Sequence, residues 1–357
     1  MELDFADVLI EVMEMGASDL HLTAGSPPMV RKRGVLSPLA YPNLSAQSVR
    51  EVVYSILTND QRQKLETDWQ IDLAYSIPGR ARFRVNAFFQ RASLGAAFRL
   101  IPQDMPALAD LGMPPVLLDF TKKPRGFVLV TGPTGSGKST TLAAMIDLIN
   151  DTRQEHIMTI EDPIEFLHRH KKCIVNQREV GADAKTFAAG LKGALRQDPD
   201  VILVGEMRDL DTISTALTAA ETGHLVFATL HTQDTAQTVD RIVDVFPPAQ
   251  QQQVRVQLSV ALQGIVTQQL LPTADGQGRT VAAEILIPTP AVRNLIREGK
   301  THQIYSTLQT GGSHGMQTMD ASLADLVRRG LISRGLAEAR SSSPDELRRL
   351  MGTVRVA

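Results

Sequence analysis

Residues 132–139, GPTGSGKS, constrain the fold more than any other stretch of this sequence. They match the phosphate-loop pattern G-x-x-x-x-G-K-[ST], whose fixed positions are Gly132, Gly137, Lys138 and Ser139. The apolar run FVLVT precedes the loop, and the stretch after it carries apolar residues at helical spacing: Leu142, Met145, Ile146 and Ile149. The sequence therefore predicts a buried strand, a phosphate-binding loop and a helix that packs on a sheet, in that order.

The residue types of this loop suit the binding of a nucleoside triphosphate. Glycines allow backbone N–H groups to wrap around phosphates, and the N-terminus of the following helix adds a positive dipole. Lys138 is expected to neutralise the β and γ phosphate oxygens, and Ser139 to hold Mg²⁺. We therefore predict that ATP and Mg²⁺ are the cofactors, bound by the whole loop: Gly132, Pro133, Thr134, Gly135, Ser136, Gly137, Lys138, Ser139 and Thr140.

The hydrophobic pattern predicts an α/β fold that follows a small α+β domain. Downstream of the loop, the apolar runs HIMTIED, DVILVGE and HLVFATLHT alternate with helical stretches, which is typical of buried parallel strands with crossover helices. Upstream, the sequence indicates a helix at about 4–16, a hairpin, helices near 45–66, and then antiparallel strands.

A proline-rich joint, PQDMPALADLGMPP at residues 102–115, divides the chain, and 357 residues suit two compact units. We expect an N-terminal domain at 1–101, a linker at 102–116 and the nucleotide-binding core at 117–275. A mainly helical region should follow at 276–340, and a flexible Ser-rich tail at 341–357.

Composition and charge exclude several classes of protein. A hydrophobic fraction of 43% and a charged fraction of 21% are those of a globular protein, and a net charge of -2 gives no bulk attraction to nucleic acid. The single Cys173 excludes an intramolecular disulfide framework. No run approaches the roughly 18 apolar residues that span a bilayer, so any membrane association should be peripheral. We expect a cytoplasmic protein at the inner face of the cell membrane.

Carboxylates follow two of the predicted strands, where ligands bind in such folds. Glu206 comes directly after VILVG, while Glu161, Asp162 and Glu165 follow HIMTI. Hydrolysis needs one acid to support the metal and another residue to orient water. Spacing leaves these two roles open; the metal-site candidates are Ser139, Glu206 and Asp162, and Glu161 and Glu165 remain catalytic candidates.

The run TGHLVFATLHT places Thr229, His231 and Thr232 at the end of a third strand. A residue there can sense the γ-phosphate, although a histidine at a strand end is commonly only a local hydrogen-bonding group. His224 precedes the strand, at its other end.

In this order, GPTGSGKST, TIEDPIEF, LVGEMRDLDT and TGHLVFATLHT resemble the Walker A, Asp box, Walker B and His box of the type II/type IV secretion ATPase superfamily. The resemblance extends from SDLHLTAG near the N-terminus to GLIS near residue 333. It implies a PAS-like N-terminal domain joined to a RecA-like P-loop ATPase domain. It also implies a homohexameric ring with nucleotide between the two domains.

The resemblance also assigns roles to single residues. Glu206 becomes the Walker B acid, Glu165 the candidate for the catalytic base, and His231 the His-box histidine. Charge develops on the transferred phosphoryl group, and arginines from the first domain can neutralise it. The candidates are Arg82, Arg84 and Arg99.

The stretch AVRNLIREGK, residues 291–300, resembles the AIRNLIRE motif of the pilus-retraction members. By itself it predicts a short helix with Thr289 as N-cap and Gly299 at its end. Its apolar face would comprise Val292, Leu295 and Ile296, and Arg293 and Arg297 would face water or an acidic partner.

The resemblance thus implies a motor that powers type IV pilus retraction in twitching motility. Its expected partners are an inner-membrane pilus platform protein (PilC-like) and a paralogous retraction ATPase, with no direct nucleic-acid binding. An accessory retraction ATPase and a pilus-assembly or type II secretion ATPase remain alternatives within the family. Outside it, the alternatives are a nucleic-acid-translocating RecA-like ATPase and a nucleotide-binding scaffold without hydrolysis.

Overall fold

The computed structural model describes residues 5–32, 34–77, 80–102 and 105–352. Their contacts divide them into two compact units. The first comprises the residues up to 102 together with Glu165–Leu167, and the second comprises the remainder. Of the predicted linker and tail, residues 103–104 and 353–357 lie outside the described ranges.

The first unit is the predicted α+β domain, built on a six-stranded sheet in the order β3-β2-β1-β6-β5-β4. Every neighbouring pair in this sheet is antiparallel. Its strands are β1 (Asp19–Thr23), β2 (Met29–Lys32), β3 (Val35–Pro38), β4 (Gln70–Ile77), β5 (Ala81–Gln90) and β6 (Ser93–Ile101). Its helices are α1 (Phe5–Glu14), α2 (Ala46–Ser55) and α3 (Asn59–Asp68). The predicted helices and antiparallel strands are confirmed.

Buried apolar residues alternate with polar residues along β5 and contribute to the core of the first unit. Phe83 and Val85 are fully buried, and Phe98 of β6 packs against Phe5 of α1 with ring centroids 5.1 Å apart. Because successive strand residues point to opposite faces, the arginines between these apolar residues lie on the other face of the sheet.

The second unit is the predicted α/β domain, built on a seven-stranded sheet in the order β13-β12-β7-β11-β10-β8-β9. All neighbouring pairs are parallel except β12 and β13. The strands are β7 (Gly126–Thr131), β8 (His156–Glu161), β9 (Ile174–Glu179), β10 (Val201–Val204), β11 (Leu225–Leu230), β12 (Leu262–Pro272) and β13 (Arg279–Leu286).

Helices cover both faces of this sheet and give it two apolar cores, as expected of buried parallel strands, and the last three helices form a further apolar cluster with β12 and β13. They are α4 (Leu117–Thr121), α5 (Lys138–Thr152), α6 (Phe187–Ala194), α7 (Leu210–Thr222), α8 (Thr235–Asp244), α9 (Pro248–Ala261), α10 (Pro290–Arg297), α11 (Ile304–Thr310), α12 (Met319–Arg328), α13 (Arg334–Arg340) and α14 (Pro344–Met351). Short 3₁₀ helices occupy Leu108–Leu111, Thr301–Gln303 and Gly312–His314.

The structure differs from the predicted C-terminal boundaries at two places. Strand β13 lies inside the predicted helical region 276–340 and pairs with β12, so the sheet continues past residue 275. Within the predicted tail, α14 buries Leu347 completely. The Ser-rich turn before α14 is held by the buried Asp320, whose carboxylate accepts hydrogen bonds from Ser341 and from the N–H group of Ser343. A buried acceptor therefore orders a stretch whose composition indicated a loose tail.

Candidate functional site

The phosphate loop connects β7 to α5, as predicted. The helix begins at Lys138, directly after Gly137. Its predicted packing residues are buried: Leu142, Met145, Ile146 and Ile149. Strands β8, β10 and β11 run parallel in the same sheet, so their carboxyl ends reach the edge that carries the loop.

The glycines of the loop adopt conformations that other residues reach only with strain. Gly132, Gly135 and Gly137 have φ angles of 137°, 78° and 89°. A Cβ atom on Gly132 would also lie 2.3 Å from the carbonyl oxygen of Gln268. The loop is therefore seated closely against β12.

Lys138 is 8% exposed, and its amine lies inside the loop. Nζ donates hydrogen bonds to the carbonyl oxygens of Gly132 at 2.8 Å and Pro133 at 3.1 Å. The lysine stem thus packs in the core while its charge stays at the loop, where it can reach a phosphate oxygen.

His231 lies between Lys138 and Glu206. Its Nδ1 is 3.5 Å from Lys138 Nζ, and its Nε2 is 3.1 Å from Glu206 Oε1. The Nε2–H group can donate to the Glu206 carboxylate, and Nδ1 faces the Lys138 ammonium group. The ring therefore links the phosphate loop to the segment that follows β10 and carries Glu206.

Glu206 is held as a carboxylate. Arg208 donates from Nε to Oε1 at 2.5 Å and from a terminal nitrogen to Oε2 at 2.6 Å. Burial raises the pKa of Glu206, but the hydrogen bond from Arg208 and the charges of His231 and Arg208 outweigh it, so the pKa lies below its ordinary value. The predicted Walker B acid is thus ionised at neutral pH.

Hydrogen bonds among three strand ends fix the backbone beside Glu206. The N–H group of Gly205 donates to Ile160 at 2.8 Å, and Thr229 donates its hydroxyl to the carbonyl of Gly205. The N–H group of Met207 donates to the carbonyl of Thr229 at 3.1 Å. Thr229, which the sequence placed at its strand end, therefore orients the Glu206 segment.

The acidic residues after β8 have different surroundings. Glu161 Oε1 accepts hydrogen bonds from Thr159 at 2.6 Å and Gln177 at 3.1 Å, so this oxygen is engaged within the fold. Asp162 is exposed, and its charge raises the pKa of Arg208 after the larger effect of Glu206. Glu165 is exposed and belongs by its contacts to the first unit. Its role as catalytic base remains a prediction.

The donors at the predicted metal site suit Mg²⁺. The hydroxyl of Ser139 and the carboxylates of Glu206 and Asp162 are hard oxygen ligands, and the low pKa of Glu206 keeps its oxygens unprotonated. Mg²⁺ commonly uses one or two carboxylates together with substrate phosphates. Which of these residues contacts the metal remains a prediction.

The predicted arginines lie on one face of the first unit's sheet. Arg84 pairs directly with Arg99 across β5 and β6, and Arg82 precedes Arg84 by one period of the strand. Arg99 donates to Asp19 Oδ1 at 2.8 Å, although its side chain is 70% exposed. Their approach to a nucleotide remains a prediction.

A cavity of about 360 Å³ lies beside the N-terminal turn of α5. Gly137 and Thr140 line it together with apolar residues, among them Leu111 and Leu270, and with Gln268 and Arg279. Sequence reasoning predicted Gly137 and Thr140 as loop residues but missed Leu111, Gln268, Leu270 and Arg279, because β12, β13 and the predicted linker carry no recognisable motif.

The segment AVRNLIREGK forms α10, which begins after the predicted N-cap Thr289. Val292 and Ile296 are fully buried, and Leu295 packs against the same core, so the predicted apolar face is confirmed. The expectation for Arg293 is wrong. Its guanidinium donates to the carbonyl oxygens of Val260 and Leu262 at the end of α9, because helices leave their last carbonyls without intrahelical partners.

In the part of the chain that the structure describes, no helix is both long enough and apolar enough to cross a membrane.

Comparisons with known proteins agree with this arrangement. The family described as Type II/IV secretion system protein matches residues 2–333. A relative from Pseudomonas aeruginosa, named Type IV pilus retractation ATPase PilT, is 53% identical over 343 residues, covering 96% of this chain and 99% of the relative. The Type IV pilus ATPase PilU of the same organism is 42% identical over 346 residues, covering 97% and 91%. A crystal structure of the pilus retraction motor PilT with bound ADP has 52% identity and a TM-score of 0.91, covering 98% of this chain and 100% of that one.

Proposed function

The chain belongs to the Type II/IV secretion system protein family, and from that membership we propose that it is an ATPase motor that powers type IV pilus retraction. The contact of His231 with both Lys138 and Glu206 carries the proposal, because it joins a phosphate-binding lysine to an ionised acid at one sheet edge. The similarity to a pilus retraction motor with bound ADP supports a nucleotide as the ligand.

The chain's own residues account for the chemistry of hydrolysis. Lys138 and the N–H groups of the loop bind the phosphates and neutralise their charge. Mg²⁺, held by Ser139 and Glu206 with Asp162 as a further candidate, would neutralise charge on the β and γ oxygens. Glu165 takes a proton from water while the water oxygen forms a bond to the γ-phosphorus. The bond between the γ-phosphorus and the oxygen that bridges the β and γ phosphates breaks, and ADP and phosphate leave.

Loss of the γ-phosphate removes contacts that hold a closed interface, and this converts hydrolysis into movement. The proposed assembly is a homohexamer in which Arg82, Arg84 and Arg99 approach the phosphates. The proposed place of work is the inner face of the cell membrane, against a platform protein of the pilus. The segment AVRNLIREGK favours retraction over assembly because it resembles the AIRNLIRE motif of retraction members.

An accessory retraction role is the second candidate, since the chain is also similar to the ATPase PilU over nearly its whole length. In cells that have the paralogue, an accessory subunit would support retraction only together with it. A main motor would support retraction by itself.

Phosphate release from ATP tests the enzymatic part of the proposal. We expect Mg²⁺-dependent hydrolysis by the purified protein and its loss in Lys138→Ala, with light scattering of the wild-type protein giving the mass of a hexamer. Hydrolysis at the normal rate by Lys138→Ala would overturn the assignment of the site. A folded wild-type protein that binds ATP without hydrolysing it would indicate a scaffold.

A further inference from the structure

Gln268 is a buried amide on β12 that contacts the phosphate loop from the side. It follows the pair Thr131 and Thr267, which is the last pair between β7 and β12, so it lies where the loop begins. The residue is 1% exposed. Its Nε2 donates a hydrogen bond of 2.7 Å to the carbonyl oxygen of Ser136, two residues before Lys138. A strand distant in sequence thereby holds the loop just before α5.

The packing around Gln268 is close at both ends of the loop. A Cβ atom on Gly132 would lie 2.3 Å from the Gln268 carbonyl oxygen, and one on Gly137 would lie 3.1 Å from Gln268 Nε2. Main chain and side chain of this one residue therefore contact the first and last glycines of the loop.

The amide oxygen of Gln268, Oε1, indicates that packing alone does not explain why a glutamine occupies this buried position. Within the described part of the chain, buried Oε1 has no hydrogen-bond partner. A buried acceptor without a partner destabilises a fold, so packing alone would favour an apolar side chain of similar length. Gln268 also lines the cavity that reaches Gly137 and Thr140.

We propose that Gln268 is a positioning residue for the nucleotide site, which holds the Ser136 carbonyl so that the loop keeps its phosphate-binding shape. The inference rests on the proposed nucleotide site. The first turn of a helix presents N–H groups without intrahelical partners, and their direction depends on the residues just before it. Since Ser136 precedes Gly137 and Lys138, fixing its carbonyl fixes the peptide groups that lead into α5. Gln268 acts through the loop and is not itself a catalytic residue.

Binding of ADP to Gln268→Met tests this role, because methionine keeps the length and removes the donor. We expect the dissociation constant for ADP, measured by calorimetry, to rise about tenfold, the effect of losing one buried hydrogen bond. The melting temperature without nucleotide should stay within a few degrees of wild type. Gln269→Met, at the neighbouring half-exposed position, is the matched control and should bind ADP like wild type. Unchanged affinity in folded Gln268→Met would overturn the proposal.

The pH dependence of Gln268→Glu gives a second readout that a merely structural role would not produce. A protonated carboxyl group can donate to the Ser136 carbonyl, whereas a carboxylate cannot, and burial raises the pKa of such a group. As the pH is lowered from 8.5 to 6, the ratio of the ADP dissociation constant of Gln268→Glu to that of wild type should therefore fall about tenfold. A ratio of dissociation constants that does not change with pH would contradict the proposal. This second test remains decisive if Gln268→Met does not fold. Absence of ADP binding by the wild-type protein would instead remove the proposed function.

Discussion

His231 Nε2 lies 3.1 Å from Glu206 Oε1, while the opposite nitrogen of the same ring lies 3.5 Å from Lys138 Nζ. Lys138 and Glu206 are therefore joined through one imidazole ring. We expect that, if Lys138 binds a phosphate as proposed, a change in that contact alters the orientation of Glu206 through this ring. The Thr229 contacts fix the backbone next to Glu206.

Replacement of His231 by alanine should lower the rate of ATP hydrolysis by about 10- to 100-fold, the usual effect of removing a residue that orients a metal-associated carboxylate. ADP affinity should change much less, because the loop is intact. Steady-state kinetics and calorimetry measure the two effects. His224→Ala, at the opposite end of β11, is the control and should retain activity. Equal rates for His231→Ala and wild type would contradict the bridging role.

Replacement of Arg208 by alanine should move the acidic limit of activity to higher pH. In the wild-type protein Arg208 and His231 hold the pKa of Glu206 below its ordinary value, so its ionised form is lost only as the pH falls through that lowered pKa. Without Arg208, burial raises the pKa, and protonation begins at higher pH. Initial rates between pH 4.5 and 8 measure the shift, and Arg208→Lys should lie between the two. An unchanged profile would show that Glu206 does not limit the rate on the acidic side.

Replacement of Glu165 by glutamine should reduce the turnover number by about 100-fold or more, as expected for loss of a general base. Because Glu165 is exposed, the melting temperature should not change. Single-turnover hydrolysis with equal ATP occupancy separates the chemical step from binding. Glu161→Gln is the informative comparison: a larger loss there would assign the base to Glu161.

In α10, buried and exposed residues should differ in their effects. Ile296→Ala should lower the free energy of unfolding by about 2–5 kcal/mol, because the side chain is fully buried. Arg293→Ala should also destabilise the protein, since it removes hydrogen-bond donors from the end of α9. Thermal or chemical unfolding measures both effects.

Arg297 is exposed on the same helix, so Arg297→Ala should leave stability and ATP hydrolysis unchanged. It should reduce retraction if this helix contacts the pilus machinery. Loss of hydrolysis in Arg297→Ala would assign the residue to the ATPase itself.

Much of the fold and of the candidate site could be predicted because the motifs and hydrophobic patterns that indicate them consist of residues close together in sequence. The strand, loop and helix around Lys138 are contiguous, and Glu206 and His231 directly follow apolar strands. Contacts between distant segments could not be predicted. Gln268 reaches the loop only through the register of β12 on β7.

Two other residues, Glu284 and Asp320, could not be identified from sequence patterns for the same reason. The buried Glu284 on β13 accepts hydrogen bonds from the N–H groups of Thr235 and Met319, so one carboxylate joins the first residues of α8 and α12. Asp320 orders the Ser-rich turn before α14. In each case the partner lies on another element, and spacing along the chain does not indicate it.

Retraction of labelled pili in cells that lack the chromosomal gene tests the central claim most directly. The wild-type gene should restore retraction, and a gene encoding Lys138→Ala should leave excess surface pili that do not shorten. Normal retraction with Lys138→Ala would contradict a nucleotide-driven motor. Loss of surface pili on deletion of the gene would contradict retraction and indicate an assembly motor.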